Sequence, residues 1–215
     1  MTADRSIVLL GGGFSEDEYR EVDEYLLGTV QVPTPKVCFI PTASGDSAGY
    51  VDRFYEGMSR YDCELTHLEL FRRDATDPSE VVGASDIIYV GGGNAANMLS
   101  VWRLHSLDTL LGEAYRRGTV LAGISAGAAC WFEACLTDSF GPLDPLNDGL
   151  GLLTGNFCPH LNTEEGRPEV YRECVSRGDL PAGIGLDDGA AVRFTNEQLT
   201  DVFTVDESAK VHHFA

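Results

Sequence analysis

The chain has 215 residues, 43% of them apolar, and its 15 basic and 34 acidic residues give a formal charge of −19. Such a length and apolar share suit one folded domain, 1–215, with a sizeable core, and exclude a disordered chain. The negative charge repels phosphate backbones and anionic lipid, so neither nucleic acid nor membrane is an expected partner.

No apolar run reaches the ~20 residues of a bilayer span. The N-terminal "MTADRSIVLL" lacks the charged start, long apolar stretch and cleavage site of a signal peptide, so a cytoplasmic location is expected. Lys36 and Lys210 are the only lysines. An acidic, lysine-poor surface is compatible with a high-salt habitat, with compositional drift or with solubility. The six cysteines show no C-x-x-C spacing and no zinc-type pattern with histidine, so reduced, buried thiols are expected, with neither metal nor cofactor.

In chain order, "SIVLLGGG" reads as a buried strand ending in glycine. "SEDEYREVDEYLLG" reads as a helix, with Ser15 and Glu18 spaced as a capping box and Gly28 as a stop. "KVCFIPTAS" is a second strand, residues 47–60 a helix and "CELTHLEL" a third strand. "DIIYVGGG" is a fourth strand, followed by helix signals from Asn94 to Arg117. "VLAGIS" is a fifth, running into a small-residue helix from Ala126. Continuous apolar strands alternating with helices predict a mostly parallel sheet covered on both faces, an α/β/α sandwich. The tail segments "AGIGLDDGAAVRF", "LTDVFTV" and "KVHHF" predict short strands on an antiparallel or mixed edge.

Ligands bind outside the carboxyl ends of such strands. The glycines at 11–13 and 91–93, and Ser125, all fall there. Gly123-Ile124-Ser125-Ala126-Gly127 fits G-x-S-x-G, a strand, a sharp turn and a helix that lift a serine out of the backbone. The Ala126 N–H, at the helix start, points where an oxyanion would form. A tight turn in which serine is merely small is the alternative.

A serine nucleophile needs a base. Of the five histidines, His67 lies in a strand-like run, His105 between helices, and His212 and His213 in the last strand. His160 follows Cys158-Pro159 in the loop "NFCPHLNTEEGR", where proline sets the local path. Acid candidates are Asp188 and Asp187 in "GIGLDDGAAV", which also read as a plain turn, and Asp138 in a proline-bearing loop. An α/β-hydrolase runs serine, acid, histidine, whereas the best candidates here run Ser125, His160, Asp188. Spacing leaves open Asp138 ahead of His160, and Asp187 or Asp188 ahead of His212 or His213.

Four motifs, "VGGGNAANML", "GISAGAAC", "CPHLNTEEGR" and "GIGLDDGAA", together resemble the peptidase E family from about Val37 onward. That family comprises α-aspartyl dipeptidases, with the related cyanophycinases, and its fold is like that of class I glutamine amidotransferases. The resemblance implies Ser125 as nucleophile, His160 as general base, Asp188 as acid, and Gly93 and Ala126 as oxyanion donors. It places Asn94 and Arg167 among the substrate-binding residues, Arg167 receiving a substrate side-chain carboxylate through its planar fork. Family members carry glutamate at the acid position, where this chain has Asp188 beside Asp187. An aspartate matching Asp138 has also been proposed as the family's acid. Arg167 has a second reading, a surface ion pair on a helix rich in Glu165, Glu169 and Glu173. The implied activity is hydrolysis of small peptides, foremost Asp-X dipeptides, with a homodimer as one option for assembly. The alternatives are a cyanophycinase-like or other small amide hydrolase, and a non-catalytic small-molecule binder.

Overall fold

A strand apolar on both faces must be covered on both faces, and four such strands form the middle of this protein. The computed structural model describes residues 4–14, 16–73 and 76–215. In chain order these form β1 (Ser6–Leu10), α1 (Arg20–Leu27), β2 (Lys36–Ile40), α2 (Ala48–Met58), β3 (Glu64–His67), α3 (Pro78–Ala84) and β4 (Ile87–Val90). There follow α4 (Ala95–Leu104), α5 (Leu107–Arg117), β5 (Val120–Ile124), α6 (Ala126–Ala129), β6 (Phe132–Thr137), β7 (Asp144–Leu146) and β8 (Leu153–Cys158). The chain ends with α7 (Arg167–Arg177), β9 (Gly183–Leu186), β10 (Ala190–Thr195), β11 (Gln198–Thr204) and β12 (Val211–Phe214).

The larger sheet has the order β11-β10-β1-β5-β4-β2-β3. Strands β1 to β5 are parallel, and β10 and β11 extend the sheet antiparallel past β1. Alternate residues of β1 go to opposite faces: Ile7 and Leu9 pack in the cluster with Met98, Trp102 and Leu111, Val8 and Leu10 in the cluster with Val22, Leu26 and Phe54. Helices thus cover both faces, giving the expected three layers. A second sheet, β12-β9-β8-β6-β7, sends Phe132, Phe157, Ile184 and Leu186 into the first cluster. On its far side Tyr171 and Cys174 of α7 pack with Leu136 and Cys158. No helix of the described residues is long and apolar enough to cross a membrane.

Several expectations change in detail. The helix signals from Asn94 to Arg117 resolve into two helices with His105 between them, and the chain turns at His105 and at Ser106, whose φ is 58°. The partner Ser15 of the expected capping box lies outside the described residues, and Glu18 sits in a 3-10 turn, Asp17–Tyr19, ahead of α1. Strands β6 and β8 had no clear sequence signal. In β8 the strand-poor residues Gly155 and Asn156 interrupt the apolar run, and Asn156 is buried with its amide donating to the Pro181 carbonyl. All six cysteines are free, and five are buried.

One buried charge in α1 makes the fold pH-sensitive. Asp23 is 1% exposed and accepts a hydrogen bond from the Tyr89 hydroxyl at 3.0 Å. Burial, partly offset by that bond, pushes its carboxyl up to about 7. A carboxyl raised in the folded state contributes stability that is fully present below the unfolded value and is lost as pH rises through the folded one. Asp23→Asn is therefore expected to be more stable than wild type at pH 8 by about 1–3 kcal/mol, with a smaller excess at pH 5, part of the way down to the unfolded value of 3.8. Urea midpoints at the two pH values check this; equal differences at both would refute it.

Candidate active site

The serine turn is dictated by small residues. Strand β5 is wholly buried, and the chain leaves it through Ser125 at φ 53° and ψ −119°. A non-glycine residue held there stores about 1–3 kcal/mol of strain, an outlier typical of functional turns. Close packing enforces it: a Cβ on Gly127 would strike the backbone of Val90 on the neighbouring strand. Ser125 itself stays partly exposed among buried neighbours.

The "GGGN" loop lies against this serine, with an added Cβ on Gly92 falling 3.1 Å from Ser125 Cβ. Its amides are almost all committed. Gly91 N–H donates to the Ile40 carbonyl at 3.1 Å, Gly92 N–H to the Tyr50 hydroxyl at 3.1 Å and Asn94 N–H to the Ala43 carbonyl at 2.8 Å. Among the described residues the Gly93 N–H has no partner. Only glycine fits at 93, where φ is 137° and a Cβ would meet the Ala43 backbone. In α6 the N–H groups of Ala128 and Ala129 both go to the Ser125 carbonyl, and that of Ala126 is a first-turn donor outside this ladder.

The second sheet brings the histidine. Strand β8 ends at Cys158, and His160 follows at φ 60°. Its Nδ1 lies 2.7 Å from Asp188 Oδ1. The second oxygen of Asp188 accepts from the Thr163 hydroxyl at 2.6 Å, and Asn162 bonds the backbone N–H and C=O of Asp188. Burial works against the Asp188 charge, but the bonds from His160 and Thr163 and the charges of His160 and Arg167 outweigh it, holding the carboxyl below the ordinary 3.8. With Nδ1–H donating to Asp188, the imidazole presents Nε2 as its free, basic nitrogen. The described hydrogen bonds include none from the Ser125 hydroxyl to this ring. Such bonds often tighten only when substrate is bound. Helix α6, which Ser125 opens, packs on β8, the strand that leads into His160.

Arg167, the first residue of α7, is 4% exposed. Its Nε and Nη2 both donate to Glu164 Oε2, the first at 2.7 Å. Inward, its charge acts on the thiols of Cys158 and Cys135, each of which burial pushes up to about 12. Glu16, in the loop after β1, feels Asp188 and His160; burial first, and then the Asp188 charge, raise its carboxyl. Among the described residues no group of three or more His, Cys, Asp or Glu side chains could hold a metal ion.

The family model of Peptidase family S51 matches residues 7–202. The chain belongs to peptidase family S51. It is 45% identical over 207 residues to the uncharacterized peptidase YgaJ of Bacillus subtilis (strain 168), an alignment covering 96% of this chain and 90% of YgaJ. It is 27% identical over 188 residues to Peptidase E of Streptomyces coelicolor (strain ATCC BAA-471 / A3(2) / M145), covering 81% of this chain and 75% of that one. The crystal structure of a peptidase from an acI-B1 Actinobacterium shares the fold, with a TM-score of 0.71 at 20% identity over 100% of this chain and 95% of that one. The resemblance to the peptidase E family holds, and with it a serine-type peptidase.

Within this S51 peptidase the sequence candidates separate. Asp188 reaches His160. Asp187, 5% exposed, turns the other way: its Oδ2 accepts from the Lys210 N–H at 3.0 Å and its Oδ1 lies 3.0 Å from His212 Nε2. Asp138 is exposed, its carbonyl closing a turn to Gly141. His67 bonds the Tyr55 hydroxyl, and His105 caps α4. Asn94 caps α4, its Oδ1 accepting from Asn97 N–H, and its Nδ2 donates to the Ser139 carbonyl. Arg167 is paired, but buried and with Glu164, not on the surface with Glu165, Glu169 or Glu173. Asn162 and Thr163 fasten Asp188, and the signal for them in the sequence is polar residues two and three places after a loop histidine.

Proposed function

We propose that this S51 peptidase hydrolyses small peptides through Ser125, His160 and Asp188, with Asp-X dipeptides as the leading substrate class. The hydrogen bond between His160 Nδ1 and Asp188 carries this reading, because it leaves Nε2 as the base in the loop after β8, the strand on which the helix opened by the strained Ser125 packs. His160 Nε2 takes the hydroxyl proton as Ser125 Oγ bonds to the scissile carbonyl carbon. The N–H groups of Gly93 and Ala126 stabilise the oxyanion. Collapse breaks the C–N bond, His160 returns the proton to the leaving amine, and water then releases the acyl group by the same route. Asp188 orients the imidazole and stabilises its cation.

The Asp-X preference rests on Arg167 receiving the substrate carboxylate. One observation favours a second reading, neutral small peptides, since Glu164 already engages that guanidinium. Fluorophosphonate labelling of the native protein tests the catalytic core. A single mass addition at Ser125, strongly slowed in His160→Gln, is expected; no addition, or labelling indifferent to His160, would overturn the reading.

A further inference from the structure

We propose that Glu164 is an internal competitor for the carboxylate-binding face of Arg167, and so sets how strongly the enzyme favours an acidic side chain before the scissile bond. This rests on the small-peptide hydrolase reading above. A guanidinium that is 4% exposed is costly unless paired, so it must hold a carboxylate. The chain supplies one of its own three residues earlier. Nε and Nη2 of Arg167 converge on a single oxygen of Glu164, a pairing that falls short of the two-oxygen fork open to a better-placed carboxylate.

The two partners differ in freedom. The Glu164 side chain is 46% exposed, so it can swing into water and yield its place to another carboxylate with little loss of solvation. Arg167 stays buried in either state. The exchange takes place beside the catalytic pair. Glu164 N–H donates to the His160 carbonyl at 3.2 Å, Arg167 N–H donates to the Glu164 carbonyl at 3.3 Å, and the Arg167 charge reaches Asp188. An open depression of about 570 Å³ adjoins this turn, lined by Asn162, Thr163, Glu164, Glu165 and Glu169 among others. Its acidic lining further disfavours an acidic ligand while Glu164 remains in place.

The test is the ratio of kcat/KM for Asp-Leu to that for Ala-Leu in wild type, Glu164→Gln, Arg167→Met and the double variant. Glu164→Gln is expected to raise the ratio by about tenfold, a gain that disappears in the double variant. A ratio that stays level or falls overturns the proposal, as does an equal loss on both substrates, which would mean that Glu164 only clamps the His160 loop. If Glu164→Gln does not fold, Glu164→Asp, whose carboxylate reaches one methylene less far, takes its place with the same readout. Asp-Leu binding to Ser125→Ala, with and without Glu164→Gln, separates this from failure of the catalytic reading. Binding tightened by the second substitution supports the competitor whatever the turnover, and unchanged binding overturns it.

Discussion

Ser125→Ala is expected to remain folded while losing turnover by about four to six orders of magnitude, since removing a nucleophile leaves only the oxyanion donors and binding. The companion variant Ser125→Gly should be just as inactive and more stable. Ser125 sits at φ 53° and ψ −119°, a conformation that glycine adopts without the steric cost borne by serine. Set against glycine's greater entropy loss on folding, the net gain is about 1 kcal/mol, or about 2–4 °C in Tm for a chain of this size. Dipeptide hydrolysis and thermal melts measured side by side check both halves. Retained activity in Ser125→Ala would remove the serine from the mechanism. A lower Tm in Ser125→Gly would mean that the turn stores no strain.

The two adjacent aspartates give the second large effect, because they should fail in opposite ways. Asp188→Asn is expected to lower kcat by about 10³–10⁴-fold, as the imidazole loses both its orientation and the charge that stabilises its cation. Asp187→Asn should leave kcat close to wild type and lower stability by about 1–3 kcal/mol, because an amide donor can be set against the Lys210 N–H that Asp187 Oδ2 now accepts. Acid stability also reports on Asp188. The Asp188 carboxyl is depressed in the folded state, so its contribution is present above the unfolded value and is lost as pH falls through the folded one, below about pH 4. Asp188→Asn therefore narrows its stability gap to wild type in strong acid. Steady-state kinetics and urea titrations at pH 3 and pH 7 distinguish the two variants. A large kcat loss in Asp187→Asn with none in Asp188→Asn would reverse the assignment.

How far the sequence reaches can be traced through particular residues. The buried strands β1, β2, β4 and β5 were legible because each is a continuous apolar run closed by glycine or a turn, and burial on both faces demands that pattern. The serine turn was legible for the same local reason: small residues at 123, 126 and 127 are what permit the close approach of β4, β5 and α6. Of the second sheet only β9 and β12 were legible as strands, because Gly155 and Asn156 blur β8 and because the strands that pair come from distant segments. His160 stood out by its position after Cys158-Pro159, whereas the Glu164 partner of Arg167 did not, since three glutamates on the helix offered equally reasonable pairings.

By itself, then, the sequence determined the layered sheet, the serine at the end of its central strand and the histidine loop, all of which follow from hydrophobic pattern and backbone permissiveness within a few residues. Which aspartate serves the histidine was decided only by tertiary structure. Adjacent residues beyond a strand present their side chains in different directions. Strand β12, arriving from residues 211–214, runs antiparallel to β9; next to it, the Lys210 backbone claims Asp187 and the β12 residue His212 reaches the same carboxylate. Asp188 is left facing His160, and the long-range pairing that makes this choice is not encoded in "LDDG".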